Sequence, residues 1–320
     1  MTVLRVATRG SAQARTQAEV VAEHVRAAGA GIQVELILVE TTGDQRPDVP
    51  LHTIGGQGVF VKEVQQAVLD GRADLAVHSA KDLPSASTPG LLIGALTARR
   101  DPRDALIGCR FNDLPDEATI ATGSVRRRAQ LGALRSDLRF VELRGNIHTR
   151  LGKVPEGGAI VMAMAALEVL GMVDELAGTT PVDPMPVDEM VPQVGQGAVA
   201  VECRMDDAAA RNALAVIDDP ATRQAVECER AFLAELGSGC SLPVGAHAVL
   251  LDGGGLSSAP SWPGRAERTR ACTKARPRRR AAGRSMPRSS LVGPSRPDGS
   301  RGSPDGRRAG RPARGRHPRR

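Results

Sequence analysis

The stretch LAVHSAKDLP, residues 75–84, joins a short apolar strand to a polar turn that follows it at once. Its first three residues are apolar, which is typical of a strand buried in a parallel sheet. Lys81 and Asp82 come where that strand ends, and functional groups in open α/β sheets commonly follow the carboxyl ends of strands. Two interpretations of the pair stay open. It is a solvated turn of adjacent opposite charges, which these residues alone slightly favour, or Asp82 is a carboxylate directed into a cleft.

The chain on either side of this stretch alternates predicted strands and helices. VLRVAT and IQVELILV (32–39) predict strands, and Ser11 and Gly29 bound a helix between them. A second unit of the same kind runs from about residue 99 to residue 190. VGQGAVAVECR (194–204) then has the pattern of a buried strand that returns the chain to the first unit. This order predicts α/β units with crossover helices.

The formal net charge of +7 averages two unlike regions. Residues 251–320 contain 19 Lys and Arg against 4 Asp and Glu, a net charge of +15, which leaves 24 against 32, or −8, for the first 250 residues. The basic region is rich in Arg, Pro, Gly and Ser and poor in large apolar residues, so it cannot bury enough surface to fold alone. We therefore expect a disordered tail from about residue 253.

Composition also excludes several classes of function. No apolar run approaches the roughly 18 residues of a membrane span, and the N-terminus lacks the apolar core of a secretory signal, so we expect a cytoplasmic protein. Five cysteines without a CxxC pair and six histidines without ligand spacing predict neither a disulfide framework nor a metal site. With four Phe, one Trp and no Tyr, stacking on bases is poorly provided for, so sequence-specific nucleic-acid binding is not expected.

Arginines and serines recur where predicted strands end and helices begin. They are Arg9 and Ser11 in ATRGS, Ser124, Arg126, Arg127 and Arg128 in GSVRRRAQ, and Arg144 and Arg150 in LRGNIHTR. Forked guanidinium donors beside the positive ends of helix dipoles form a site for carboxylates or phosphates. The alternative is a set of solvated surface charges, which suits Arg128 and Arg135 better than the whole set.

One cysteine, Cys240, lies in the loop GSGCSLPVG, residues 237–245. Small neighbours let the backbone approach a ligand and leave the sulfur accessible. Judged by these residues alone, an incidental loop cysteine is favoured about two to one over a nucleophile or attachment site.

Eight segments resemble the porphobilinogen deaminase (hydroxymethylbilane synthase) family in order and spacing: ATRGS, GGQGVFVKE, AVHSAKDLP, DPRDAL, TGSVRRRAQL, LRGNIHTRLGK, VGQGAVAVECR and GCSLPVGAHA. The resemblance covers about residues 3–251. It implies a transferase of tetrapyrrole (heme) biosynthesis that condenses four porphobilinogen molecules into hydroxymethylbilane and releases ammonia. It also implies a dipyrromethane cofactor, attached through a thioether to the matching Cys240, as the primer for chain growth.

The resemblance assigns roles to individual side chains. Asp82 matches the catalytic aspartate, which assists loss of the amino group and stabilises the cationic azafulvene and the pyrrole N–H groups. The positions that match cofactor contacts are Cys240, Lys81, Asp82, Ser124, Arg126, Arg127 and Arg144. The positions that match substrate contacts are Arg9, Ser11, Arg127 and Arg150. One position departs from the family, because Val169 stands where an arginine is usual.

The same resemblance implies the architecture. The expected fold class is α/β, with two doubly wound domains like periplasmic binding proteins and a small, truncated α/β third domain. Domain 1 is expected at 1–97 and 194–212, domain 2 at 98–193, domain 3 with the attachment loop at 213–252, and the basic tail at 253–320. We expect a cytoplasmic monomer whose partner is porphobilinogen, with no specific nucleic acid, no membrane and no metal.

Two alternatives follow from the atypical tail. A frameshift in a GC-rich gene would explain a composition that replaces the family's third domain, and the chain would then be inactive or a non-catalytic two-domain binder of an anionic ligand. The tail could instead bind RNA, DNA or anionic membranes nonspecifically, with a steep salt dependence that vanishes when residues 253–320 are deleted.

We expect intact-protein mass spectrometry to show a mass excess equal to one dipyrromethane in protein expressed with the tetrapyrrole precursor available. The excess should be lost in Cys240→Ala, because the thioether needs that sulfur, and it should persist in Cys109→Ala. An unmodified parent protein would contradict both the attachment site and the activity of this chain.

Overall fold

The computed structural model describes residues 2–28, 31–45, 58, 60–237, 242–251 and 255–261. All of them belong to the first of two compact units, Met1–Ala275. Cys240 and most of the predicted tail therefore lie outside the described residues.

Strands and helices alternate along the described chain. The strands are β1 (Thr2–Arg9), β2 (Ile32–Val39), β3 (Leu75–Ser79), β4 (Leu91–Leu96), β5 (Asp104–Ile107), β6 (Thr119–Ala121), β7 (Arg139–Val141), β8 (Ala159–Ala163), β9 (Val182–Pro184), β10 (Val199–Arg204), β11 (Gly245–Leu250) and β12 (Leu256–Ser261). The helices are α1 (Ala12–Ala28), α2 (Thr42–Gln45), α3 (Lys62–Leu69), α4 (Val125–Leu134), α5 (Ile147–Leu151), α6 (Met164–Val169), α7 (Met172–Leu176), α8 (Ala208–Ala215) and α9 (Pro220–Glu235). The predicted α/β fold class is confirmed.

The first sheet has the strand order β2-β1-β3-β10-β4. β1 is parallel to β2 and β3, whereas β10 is antiparallel to β3 and β4. β3, the strand of the opening stretch, lies in the middle, and its first four residues are buried, as its apolar run predicts. The apolar face of α1, formed by Ala18, Val21 and Val25, packs in the same core as Leu75 and Val77.

The second sheet has the order β7-β6-β8-β5-β9 and repeats this plan. β6 is parallel to β7 and β8, and β5 is antiparallel to β8 and β9. In each sheet the antiparallel strand in fourth place is the one by which the chain changes sheets. β5 brings the chain into the second sheet, and β10 brings it back to the first.

The return strand is shorter than the sequence pattern predicts. β10 begins at Val199, not at Val194, because residues 194–197 form a turn. Gly195 and Gly197 have φ angles of +71° and +92°, in the left-handed region that glycine adopts without a steric penalty. The correction matters because this turn lies against the Lys81–Asp82 segment.

A third part of the described chain consists of α9 and the hairpin of β11 and β12. Asp219 caps α9 by accepting a hydrogen bond from the Thr222 amide at 2.7 Å, and Pro220 occupies the first turn, where its missing N–H costs no helical hydrogen bond. Residues 245–250 pair antiparallel with residues 256–261. β12, at residues 256–261, lies beyond the residue at which the sequence analysis expects the tail to begin. Strand pairing uses backbone groups and does not require a run of large apolar side chains.

Glu229 of α9 joins the three parts of the fold. Its carboxylate is 1% exposed and accepts hydrogen bonds from Arg99 at 2.6 and 3.2 Å, from the Gly195 amide at 2.7 Å and from the Ala248 amide at 2.8 Å. Arg99 precedes the crossing to the second sheet, Gly195 lies on the way back, and Ala248 is in β11. Burial alone would raise the pKa of Glu229, but the nearby His247, the charge and hydrogen bonds of Arg99 and the hydrogen bond from Gly195 outweigh it and lower that pKa.

We expect Glu229→Leu to lower the free energy of unfolding by about 3–5 kcal/mol, because it leaves Arg99 and two amide N–H groups buried without their partner. Urea denaturation followed by circular dichroism measures the change. Glu227→Ala on the same helix is the control: Glu227 is 61% exposed and pairs with Arg223 at the surface, so its loss should stay below about 1 kcal/mol. Equal losses in the two variants would contradict the role of Glu229.

Candidate active site

The Lys81–Asp82 pair lies in a single 3₁₀ turn, Ala80–Asp82, directly after β3. The Ala80 amide donates to the Ala198 carbonyl at 2.9 Å, so the turn continues the pairing of β3 with the return segment. Both charged side chains are only half-buried by surface area. Burial nevertheless lowers the pKa of Lys81 to about 8, an effect that Asp82 partly offsets and Arg127 reinforces. Such a lysine does not fit the interpretation of the pair as a solvated turn.

A buried carboxylate that the sequence analysis did not single out, Asp104, organises the second sheet's side of the site. Its side chain has no exposed surface. Asp104 Oδ2 accepts from Arg126 Nη2 at 2.6 Å, and Oδ1 accepts from Arg127 Nε at 3.0 Å and Nη2 at 2.6 Å. Burial would raise the pKa of Asp104, but the charges of Arg126 and Arg127 hold it well below its usual range. Asp104 opens β5, and its signal in the sequence is a carboxylate before an apolar run in DPRDALI.

The two arginines have further partners inside the protein. Arg126 Nη1 donates to the Val191 carbonyl at 2.7 Å, and Arg127 Nη1 donates to the Val161 carbonyl at 2.8 Å. Both side chains are therefore components of the buried scaffold in this structure. Two cations share one anion, so the cluster keeps a net positive charge, and a role of these arginines toward carboxylates stays a prediction.

Arg144 and Arg150 lie in the electrostatic neighbourhood of that cluster. Arg150 Nε donates to the Gly145 carbonyl at 2.7 Å. Burial lowers the pKa of Arg150 to about 10, with further lowering by Arg127 and Arg144, and Asp82 opposes the shift. The structure thus brings together three of the predicted arginines and the predicted catalytic aspartate.

The remaining predicted residues are placed at strand and helix ends. The Arg9 guanidinium, at the end of β1, stacks 4.0 Å from the ring centroid of Phe60. Ser11 accepts a hydrogen bond from the Ala14 amide at 3.3 Å, and Ser124 accepts one from the Arg127 amide at 3.4 Å. Both hydroxyls therefore cap helices, as expected from the sequence.

Two predicted features lie apart from this cluster. Cys240 is outside the described residues. Val169, at the position where the resembling family usually has an arginine, is 9% exposed in α6, and it contributes an apolar side chain to that region.

Neither a membrane-spanning helix nor a cluster of metal ligands is present among the described residues. No helix in the ranges described is long and apolar enough to cross a membrane. Within the same ranges, no group of three or more His, Cys, Asp and Glu side chains is arranged to hold a metal ion.

The chain matches two domains of one protein family. The porphobilinogen deaminase, dipyromethane cofactor binding domain matches residues 4–212, and the porphobilinogen deaminase C-terminal domain matches residues 223–257. The chain belongs to the porphobilinogen deaminase family. The predicted transferase activity, the enzyme class hydroxymethylbilane synthase and the dipyrromethane cofactor of that family are thereby confirmed for the chain.

Curated relatives agree with this assignment. The porphobilinogen deaminase of Acidothermus cellulolyticus is 50% identical over 259 residues, which cover 78% of this chain and 76% of the relative. That of Thermobifida fusca is 47% identical over 253 residues, 77% of each chain. Among solved structures, the methionine binding protein MetQ aligns with a TM-score of 0.41 at 13% identity, over 72% of this chain and 94% of its own. This structural similarity is too low to support a fold assignment, so the fold class is based on the strand order of this chain.

The described residues fit a porphobilinogen-derived cofactor. Dipyrromethane of this origin carries acetate and propionate groups and two pyrrole N–H groups. Guanidinium and ammonium groups suit the carboxylates, and a carboxylate such as Asp82 suits the N–H donors. The cluster around Lys81, Asp82, Arg127 and Arg150 supplies both kinds of group.

We expect Asp104→Asn to reduce the free energy of unfolding by about 3–5 kcal/mol at pH 7, because it leaves two buried guanidiniums without a counter-charge. The pKa of Asp104 is depressed in the folded state, so its contribution is present above the ordinary value of about 3.9 and is lost as the pH falls below it. The difference from the parent should therefore be constant from pH 8 to pH 5 and narrow in stronger acid.

The matched control for this prediction is Asp116→Asn. The Asp116 side chain is fully exposed and lies 3.8 Å from Arg135, so its loss should change the stability by less than about 1 kcal/mol. Denaturation curves across this pH range measure both variants. A small, pH-independent effect of Asp104→Asn would show that the buried pair does not hold the fold.

Proposed function

We propose that Asp82 is the catalytic residue of this chain and that the cations around it hold the carboxylates of porphobilinogen and of the growing chain. The observation that supports this most directly is the position of Asp82 beside Lys81 in the turn after β3, next to a group of cations in which Arg127 and Arg144, together with burial, lower the pKa of Arg150 to about 10. A protein that gathers like charges near one aspartate has an arrangement suited to anionic ligands.

The substrate chemistry matches that surplus of positive charge. Each porphobilinogen brings an acetate and a propionate, so every condensation adds two negative charges to the bound chain. Guanidiniums bind carboxylates with two parallel hydrogen bonds, which fixes orientation as well as position. Arg9, Ser11, Arg127 and Arg150 are proposed for the incoming substrate, with Arg127 shared with the cofactor.

Asp82 is suited to the charge that develops during the reaction. Ammonia leaves the aminomethyl carbon of porphobilinogen, and the electron pair of the breaking bond goes with it, so the pyrrole that remains is cationic. A carboxylate fixed nearby stabilises this cation and accepts hydrogen bonds from pyrrole N–H groups. The half-buried 3₁₀ turn holds Asp82 at the end of β3, next to the cations that bind the acidic side chains.

Dipyrromethane, when bound, supplies the pyrrole carbon to which the first substrate unit is joined. We propose that Cys240 carries it and that its side chains contact Lys81, Asp82, Ser124, Arg126, Arg127 and Arg144. The finer statements about the whole protein are proposals of the same kind: a cytoplasmic monomer without specific nucleic-acid or membrane partners.

We expect Asp82→Asn to reduce turnover of porphobilinogen by at least about 10²-fold, because the amide has the same size but no charge to offset the cation. Ammonia release and product absorbance measure the rate, and intact mass on the same sample shows whether cofactor is loaded. A loaded variant that turns over within about threefold of the parent would contradict the assignment of Asp82 as the catalytic residue. A parent protein with neither a covalent adduct nor turnover would instead favour a non-catalytic binder of an anionic ligand.

Asp113→Asn is the control for Asp82→Asn. Asp113 also ends a one-turn 3₁₀ segment, Phe111–Asp113, but it is exposed, and no predicted site residue lies in that segment. Its turnover should equal that of the parent. A comparable loss in both variants would mean that the assay reports general damage to short turns.

A further inference from the structure

The segment Gln193–Ala198, which returns the chain to the first sheet, lies directly against the Lys81–Asp82 turn. Gln193 Nε2 donates to the Lys81 carbonyl at 3.0 Å. A Cβ placed on Gly195 would lie 3.1 Å from Ala80 Cβ and 3.2 Å from the Lys81 nitrogen, so glycine permits the close approach. The return segment therefore fixes the backbone of Lys81 from one side.

Gln196 contacts the Lys81 side chain from the same segment. It is 1% exposed, and its Nε2 donates to the Pro102 carbonyl at 2.7 Å and to Asp104 Oδ1 at 3.0 Å. Both acceptors lack a hydrogen to give, so they require the nitrogen of the amide on their side. The orientation of Gln196 is thereby determined, and its Oε1 must point the other way, where Lys81 Nζ donates to it at 3.4 Å.

Gln196 Oε1 is a neutral acceptor that lies among several charged groups. The charged groups that face Lys81 are Asp82 on its own turn, Asp104 on β5, and Arg126 and Arg127 on α4. The two arginines repel the ammonium, and burial disfavours its charge. An acceptor on Gln196 stabilises the protonated form and directs Nζ toward the second sheet.

We propose that Gln196 is a positioning residue for Lys81: its amide, fixed by Asp104 and the Pro102 carbonyl, holds the ammonium of the first sheet in a set position relative to the arginine pair of the second. The chain of contacts runs from Arg126 and Arg127 through Asp104 and Gln196 to Lys81. Its value for catalysis rests on the proposed contact of Lys81 with the cofactor.

The test measures the protonation of Lys81 directly in the holoenzyme. Brief labelling with acetic anhydride at a series of pH values, followed by peptide mass spectrometry, gives the midpoint at which Lys81 becomes reactive. Gln196→Met keeps the side-chain length and removes both the acceptor of Lys81 Nζ and the amide donor that fixes its orientation. Because the charged amine loses a partner, its midpoint should fall by about one pH unit, the effect of one hydrogen bond to a charged group.

Two further variants separate positioning from damage to the fold. Gln196→Glu places a negative charge beside Nζ and should raise the midpoint, so the two substitutions move it in opposite directions. Gln193→Met removes a hydrogen bond to the Lys81 backbone and leaves the acceptor of Nζ in place. Its midpoint should equal that of the parent, whatever its stability.

Unchanged midpoints in both Gln196 variants would overturn the proposal, and so would an equal shift in Gln193→Met. If Gln196→Met does not fold, Gln196→Glu and Gln193→Met decide the matter by the same criteria. The labelling readout does not depend on turnover. A shift of the midpoint together with an active Asp82→Asn would therefore refute the catalytic proposal while it supports this one.

Discussion

A buried carboxylate, Asp104, is the constraint on which the geometry of the site depends. The guanidinium groups of Arg126 and Arg127 are buried and share one carboxylate. Burial of these charges is tolerated only if nearly every donor and acceptor has a hydrogen-bond partner. Backbone carbonyls and the Gln196 amide bind further donors and acceptors of the cluster, and Arg126 Nε is a buried guanidinium nitrogen without a hydrogen-bond partner among the described residues. An unpaired buried charge at this position would lower the stability of the fold. The positions of β5, α4 and the return segment are therefore coupled to one another through the Asp104 side chain.

Glu229 is a second buried carboxylate that binds several partners. Asp104 lies where the chain enters the second sheet, and Glu229 binds both Arg99, just before that entry, and Gly195, on the way back. The two crossings between the sheets are thus held by two buried carboxylates, one on the side of α4 and one on the side of α9. Arg99 Nε also donates to the Gln196 carbonyl at 2.9 Å, so the two networks meet at the return segment. The third part of the fold is in this way connected to the residues that contact Lys81.

Local sequence patterns predicted much of the architecture because the periodicity of strands and helices is visible within short stretches of sequence. The apolar run before Lys81, the cap at Ser124, and the alternation of strands with helices all have local causes, and they appear where expected. The sequence pattern predicts a strand at residues 194–197 because this stretch leads directly into the apolar run of β10, whereas Gly195 and Gly197 decide its conformation. Asp104 and Gln196 escaped notice for another reason. Their partners are 22 to 115 residues away in the sequence, and only the folded chain brings those charges together.

Net charge is a poor guide to the site, since the first 250 residues carry −8 while the region around Asp82 is cationic. The acids that raise the pKa values of Lys81 and Arg150 are Asp82 and Asp104. The cations that lower these pKa values include Arg126 and Arg127. Asp104 is committed to its buried pair, which leaves Asp82 to balance the rest. Acidic ligands would supply negative charge, and their binding would relieve the repulsion that adds to burial in lowering the pKa of Arg150. The surplus of positive charge around Asp82 is therefore the property that suits the site to a product whose charge grows with each added unit.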